Sequence, residues 1–353
     1  MSSTWTATDG ELAALVQRGN WQLRPSSPLF RLTQVKAAGF VQEPGPDWTA
    51  VVQRVAYPRL ELGLSLSPPA SLELLWFFLG EDDGWAGHFV DRLGRHRFAQ
   101  VAREDVYMAL HHTLALDQNV PGGPTRLTLD QATLKTLVAL LDCNREWTLE
   151  SLLQRVPRPQ RIFTVPDVLF SFLRSWDWGD RRWLTGALQA VSPRMEVLTA
   201  PDVDQGLTAL GKAGMTEAVE EGWFMTLAGQ TLAARVAAPV SYAGVRAHLP
   251  ELGRTHHVAA ILGTVGTLWM EFDGDRIALT EPASRELRET LESRLQEWIS
   301  ASAERRPVAV SPPASRTCPS CARALDAEAR FCSYCGTSLV ASNCPSCQAA
   351  LAP

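Results

Sequence analysis

Apolar residues recur along this chain with two periods. Leu287, Leu291, Leu295, Trp298 and Ile299 fall on one face of a helix that Thr280 can cap and Pro282 can start. The same spacing in Val106, Leu110 and Leu114 predicts a helix over Arg103–Leu116. Between Leu127 and Val191, leucines at helical spacing predict helices over Thr133–Leu141 and Leu149–Val156, and Val165–Phe172 adds another. A turn before a helix opening at Thr148 leaves two readings, part of a winged-helix unit or ordinary helical packing. Elsewhere the segments are short and bounded by glycine. Val258–Leu262 and Leu268–Phe272 flank Gly263-Thr-Val-Gly266, and Asp273-Gly274-Asp275 precedes Arg276–Thr280, which predicts an antiparallel meander. The longest apolar stretch, Val258 to Met270, has 13 residues and contains two glycines, too short to cross a bilayer.

The pattern repeats. Arg54-Val-Ala-Tyr-Pro58 returns as Arg235-Val-Ala-Ala-Pro239, an offset of 181, and Arg97-Phe-Ala99 returns as Arg276-Ile-Ala278, an offset of 179. Upstream of the first motif stand Leu32-Thr-Gln-Val-Lys-Ala-Ala-Gly39 and Leu210-Gly-Lys-Ala-Gly214, followed by Trp48 and Trp223 respectively. Landmarks in one order at nearly constant offset point to a diverged duplication. Each copy reads as a helix closed by Lys-Ala-Gly, a short helix stopped by proline, two or three strands and a final helix. The expected fold is therefore α+β: two related halves with antiparallel strands flanked by helices, a helical insert between them, and a tail. The expected boundaries are 1–125 for the first repeat, 126–195 for the insert, 196–300 for the second repeat, 301–317 for a flexible linker rich in Ala, Ser, Arg and Pro, and 318–353 for the tail.

Cysteine changes the picture at the tail. Six of the seven cysteines lie there, as Cys318, Cys321, Cys332, Cys335, Cys344 and Cys347. The N-terminal residues show no basic patch followed by an apolar core, so the expected location is the cytoplasm, without membrane insertion, where paired thiols bind metal more often than they form disulfides. Two Cys-X-X-Cys turns, Cys318/Cys321 and Cys332/Cys335, supply four thiolates for one tetrahedral zinc ion. The segment resembles the bacterial zinc-ribbon family on Cys318, Pro319, Cys321, Leu325, Ala329, Phe331, Cys332, Cys335, Gly336 and Leu339. Cys344 and Cys347 open a second ribbon with no closing pair before Pro353, which leaves a decayed half-ribbon or a metal shared with another copy of the chain. Four protein sulfurs leave no position for substrate, so the expected Zn2+ is structural.

Catalytic signatures fail. Gly206-Leu-Thr-Ala-Leu-Gly211-Lys212-Ala213 fits a phosphate loop until Ala213, which lacks the hydroxyl that magnesium needs, and reads better as a helix end. The seven histidines, including His111-His112 and His256-His257, show no catalytic or metal spacing; Glu81-Asp82-Asp83-Gly84 reads as a solvated turn and Cys143 as a helix residue. The expectation is a protein that is not an enzyme. Twelve tryptophans are many, and Trp176, Trp178 and Trp183 sit among charges that suit either an interface anchor or helix packing. Residues 1–300 carry 28 basic and 35 acidic residues, a poor field for nucleic acid.

The order of elements in the body, a leucine-rich start, a helix ending in Ala-Gly, Arg-Val-Ala-X-Pro, strands and a final helix, is similar to that of the EspG family, cytosolic chaperones of type VII secretion. That resemblance implies two related α+β halves that hold a hydrophobic helical tip of a secreted client. The insert and the tail depart from it. The broader expectation is a non-enzymatic cytoplasmic adaptor or chaperone that binds a protein, with oligomerisation through the ribbon open. The alternative is a nucleic-acid-binding or transcription-associated factor that uses the insert as a winged helix and the ribbon as a second contact.

Overall fold

Each half opens with a strand that runs straight into a helix. β1 (Thr4–Ala7) leads to α1 (Asp9–Arg18), started by a capping box in which Thr8 Oγ1 accepts from Glu11 N while the Glu11 carboxylate accepts from Thr8 N at 2.7 Å. α2 (Pro46–Ala56), β2 (Leu60–Ser67), β3 (Glu73–Leu79), β4 (Trp85–Val90), β5 (His96–Val101) and α3 (Arg103–Thr113) complete the first half. The second half begins with β6 (Arg126–Asp130) and α4 (Gln131–Gln154), where Asp130 caps the helix by accepting from Thr133 N at 2.7 Å. It continues with α5 (Val165–Trp178), α6 (Leu184–Val191), α7 (Ala200–Lys212), the hairpin β7 (Thr216–Val219) and β8 (Gly222–Met225), and α8 (Leu227–Val236). Strands β9 (Pro239–Leu249), β10 (Arg254–Gly263), β11 (Thr267–Asp273) and β12 (Arg276–Thr280) follow, and α9 (Ser284–Ala303) ends it.

This computed structural model describes residues 4–303 except 20, 22, 24–26, 39–44, 68–72, 92, 156–160, 179–181, 192–195, 238 and 264; beyond 303 it describes 316–317 and 324–325. The chain divides into two units, Met1–Glu304 and Arg305–Pro353. In the second, Arg316–Thr317 and Ala324–Leu325 form a short antiparallel pair, and all six tail cysteines lie outside the described residues.

Ten strands of the first unit form one antiparallel sheet in the order β1-β5-β4-β3-β2-β9-β10-β11-β12-β6. The halves meet where β2 pairs with β9, and the register carries the duplication. Leu64 lies opposite Val245, the residue 181 positions on, so that pair sits on a pseudo-two-fold axis. Gly63 then faces Arg246, while Gly244, the equivalent of Gly63, faces Ser65. The arginines of the repeated motif obey the same symmetry. Arg54 brackets the β3–β4 turn through Asp82 at 2.7 Å and Trp85 O at 3.4 Å, and Arg235 lies along the equivalent β10–β11 turn beside Gly266 and 3.5 Å from Glu281.

Alternation along the strands gives the sheet two apolar faces. On one, α3 and α9 bury Val106, Leu110, Leu287, Leu291, Leu295 and Trp298 against Leu60, Leu62, Leu64, Val245 and Val258. On the other, α1 and α2 cover Phe78 and Phe98, while α4 to α8 cover Tyr242, Ile261, Met270 and Ile277. Burying each such large side chain contributes about 1.5–3 kcal/mol.

The architecture is α+β with two related halves, but four local expectations change. Arg126–Asp130 was expected in the insert, yet it pairs with β12, Leu129 opposite Ile277, just as β1 pairs with β5. The extra helices therefore lie inside the second half. α4 runs unbroken through Thr148, whose hydroxyl donates back to Asn144 O at 2.8 Å, so the turn needed for a winged helix is absent. The last helix starts at Ser284 rather than near Thr280, because Glu281 is buried and accepts from Gly123 N at 2.8 Å and Thr125 N at 3.1 Å, which holds the lead-in extended. Trp48 lies in α2 and Trp223 in β8, so these two landmarks are not equivalent. Gly214, at φ +74°, does close α7, while Gly39 and Val156 lie outside the described residues.

Candidate functional site

On the face shared by α1, α2 and the extra helices, the covering elements leave a gap over β3, β2, β9 and β10. It forms a groove of about 510 Å³ with Gly63 in its floor, Leu74 and Trp76 along one side, the end of α6 at Ala190 and Val191 along the other, and Arg246 with His257 at one end. The glycines let the Trp76 ring and the end of α6 come down close to the sheet. A Cβ at Gly63 would fall 2.7 Å from the Trp76 ring, and one at Gly244 would strike Val191 O. Leu74 is 49% exposed, and the Arg246 guanidinium is exposed with no ion pair recorded among the described residues. His257, opposite Arg246 in the register, is pushed down to about 4 by burial and then by the Arg246 charge, so it is neutral at pH 7. The groove thus combines apolar walls at Leu74, Trp76 and Val191 with a polar end at Arg246 and His257.

A second apolar surface lies on α4. Its first half is buried on several sides, but Leu152 and Leu153 are 69% and 83% exposed, and Phe170 on α5 is also exposed. A cavity of about 630 Å³ separates this end of α4 from α8 and includes Trp147, Arg161 and Phe163.

The three tryptophans expected at an interface are dispersed. Trp176 is half-buried, stacked 5.1 Å from Phe172 at the edge of the helical core. Trp183 carries Arg145 at 5.6 Å and Arg174 at 5.1 Å on its ring, and Arg174 is fixed by a two-pronged bond to Glu146 at 2.8 and 3.0 Å. Trp178 is in α5, and its side chain is outside the described residues. Gly206 to Lys212 lie within α7, with Gly206 pressed on Thr136, so the phosphate-loop lookalike is helix.

Two polar clusters escaped the sequence reading. His88 Nε2 lies 2.8 Å from His96 Nδ1, and His96 Nε2 lies 2.5 Å from Asp9 Oδ1, a chain of two buried imidazoles ending on a half-exposed carboxylate. A neutral His96 that donates from Nε2 to an Asp9 carboxylate accepts at Nδ1 from His88. Asp142, fully buried, accepts from Leu184 N at 2.8 Å and Thr185 N at 2.9 Å and so begins α6; burial pushes its carboxyl up to about 6. Burial also pushes the Cys143 thiol up to about 12, which removes it as a nucleophile at neutral pH. Neither cluster has a sequence signature, because its members come from separate elements.

The tail has no described geometry at its cysteines, and its donor set decides the chemistry. Residues 318–353 match the double zinc ribbon family. Two Cys-X-X-Cys pairs fit a tetrahedral zinc ion, and the ribbon accounts for 36 of the 353 residues. No curated protein matches the chain. Among solved structures, the Mycobacterium tuberculosis type VII secretion system chaperone EspG5, in complex with a PE25–PPE41 dimer, is similar at 11% identity and a TM-score of 0.39, covering 83% of this chain and 96% of that one. Among the described residues no helix is long and apolar enough to cross a membrane.

Proposed function

We propose that this chain is a cytoplasmic, non-enzymatic adaptor or chaperone that grips an apolar helical segment of a protein partner in the groove over β2 and β9. The observation that carries the reading is the groove itself: exposed Leu74 and half-buried Trp76 along one side, α6 along the other, and at its end the exposed Arg246, which has no ion pair among the described residues. Apolar walls supply the affinity, and a single cation beside them orients an acidic residue of the partner. The occupant is of the class that the EspG-like order of elements implies, a hydrophobic helical tip. In the ribbon, Cys318, Cys321, Cys332 and Cys335 hold one structural Zn2+, which fixes the fold of the tail and takes no part in chemistry.

A photo-crosslinking amino acid at position 74 tests this reading against one at position 153 on α4. The expected result is one protein adduct at position 74 that Arg246→Glu abolishes. Adducts at 153 alone, or none at 74, would refute the groove as the binding site.

A further inference from the structure

The outer edge of β6 lies away from the groove over β2 and β9. β6 ends the sheet: it pairs on one side with β12, and among the described residues no strand takes its other edge. An open edge of this kind is a template for a further strand. Its five residues read Arg126-Leu127-Thr128-Leu129-Asp130, an order that is self-complementary when reversed. An antiparallel copy centred on Thr128 sets each Arg126 opposite the other copy's Asp130 and each Leu127 opposite the other copy's Leu129.

The side chains are placed for this. Arg126, Thr128 and Asp130 share the exposed face of the strand, and Leu129 is buried on the other. Arg126 is 70% exposed, and its ion pair, with Glu286, is long at 4.0 Å. Asp130 uses Oδ1 to cap α4, and no partner for Oδ2 is recorded among the described residues. At the opposite end of the sheet, β1 reads Thr4-Trp5-Thr6-Ala7 and offers no charge to match. A β6-to-β1 contact would also be head-to-tail and open-ended, whereas β6 to β6 closes as a two-fold dimer. The chain already contains a contact of this form where β2 meets β9 about Leu64 and Val245.

We propose that two copies of this chain associate through their β6 edges, about a two-fold axis at Thr128, so that the two sheets become one. The paired charges select the register, and the backbone of the edge strands supplies the hydrogen bonds. Every substitution in such an interface acts twice.

Sedimentation of the full chain in zinc-containing buffer tests it. The wild type is expected to form a reversible dimer. Arg126→Asp, which sets like charges opposite each other at both ends, is expected to weaken it by roughly tenfold or more. Asp130→Lys is expected to do the same, with circular dichroism showing that the fold survives loss of the cap. Mixing the two variants restores opposite charges at both ends and is expected to recover a dimer containing one of each. A wild type that stays monomeric at the highest soluble concentration, a dimer indifferent to Arg126→Asp, or a mixture that does not associate would each overturn the proposal.

Discussion

Gly63 and Gly244 occupy equivalent places on either side of the pseudo-two-fold axis, and adding one methyl group to each separates the rigid wall of the groove from the movable one. At Gly244 a Cβ would lie well inside 3.0 Å of Val191 O, 2.6 Å from Ser65 Oγ and 3.1 Å from Val191 Cβ. Val191 O belongs to the last turn of α6, which is anchored by buried Leu184, Ala187 and Leu188. The helix would have to move by more than half an ångström, and overpacking of that kind costs about 1–3 kcal/mol. At Gly63 the obstacle is the Trp76 ring, at 2.7 to 3.0 Å, and that ring borders open groove into which it can turn. Gly63→Ala should therefore cost under about 1 kcal/mol, with the loss of glycine's unfolded-state freedom offsetting about 0.4–1 kcal/mol of it. Urea titration followed by far-ultraviolet circular dichroism reads both through the midpoint at constant slope. A Gly244→Ala protein within about 0.5 kcal/mol of wild type, or a Gly63→Ala protein that loses more than Gly244→Ala, would refute the placement of α6 against β9.

Other outcomes follow from single features. Asp142 has its folded pKa raised above the carboxylate reference of 3.8 to about 6, so the folded state binds the extra proton between those values. Its contribution to stability should fall as pH rises from about 4 to 6 and stay low above that, by on the order of 3 kcal/mol in total; urea midpoints against pH should show this decline in wild type and lose it in Asp142→Asn. Asp9→Ala removes the acceptor of His96 and should destabilise the first half by about 1–3 kcal/mol, read by hydrogen exchange in β4 and β5. Leu291→Ala, at a fully buried position on the sheet-facing side of α9, should cost about 2–5 kcal/mol in the same urea assay. Chelating zinc from the full chain should release about one equivalent of metal per complete four-cysteine set and abolish the dispersed tail signals in an NMR spectrum, while the signals of residues 4–303 stay in place.

The meander of the second half was legible because glycines at 263, 266 and 274 mark its turns, and α9 because Leu287, Leu291, Leu295 and Trp298 all face one way. The duplication was legible in Arg54 and Arg235, whose shared task, bracketing a hairpin turn, explains why the motif recurs. β6 was missed because five residues with only Leu127 and Leu129 apolar give a weak alternation beside a long run of helical leucines. The pattern breaks α4 in two because a helix packed on several sides has no single apolar stripe: Thr136, Lys135 and Asp142 are buried in it alongside its leucines. The groove could not be read at all. Its parts come from positions 63, 74, 76, 191, 246 and 257, brought together only by strand register and the docking of α6.

The axis through Leu64 and Val245 has a consequence for how such a surface can arise. Two identical chains meeting at that pair would present the same wall on both sides of their junction, and any change to one wall would be forced on the other. Joined in one polypeptide, the copies are free to diverge. The first half contributes Leu74 and Trp76 and the second contributes α6, so the groove has two different lips, and the helical occupant proposed for it would fit in one orientation.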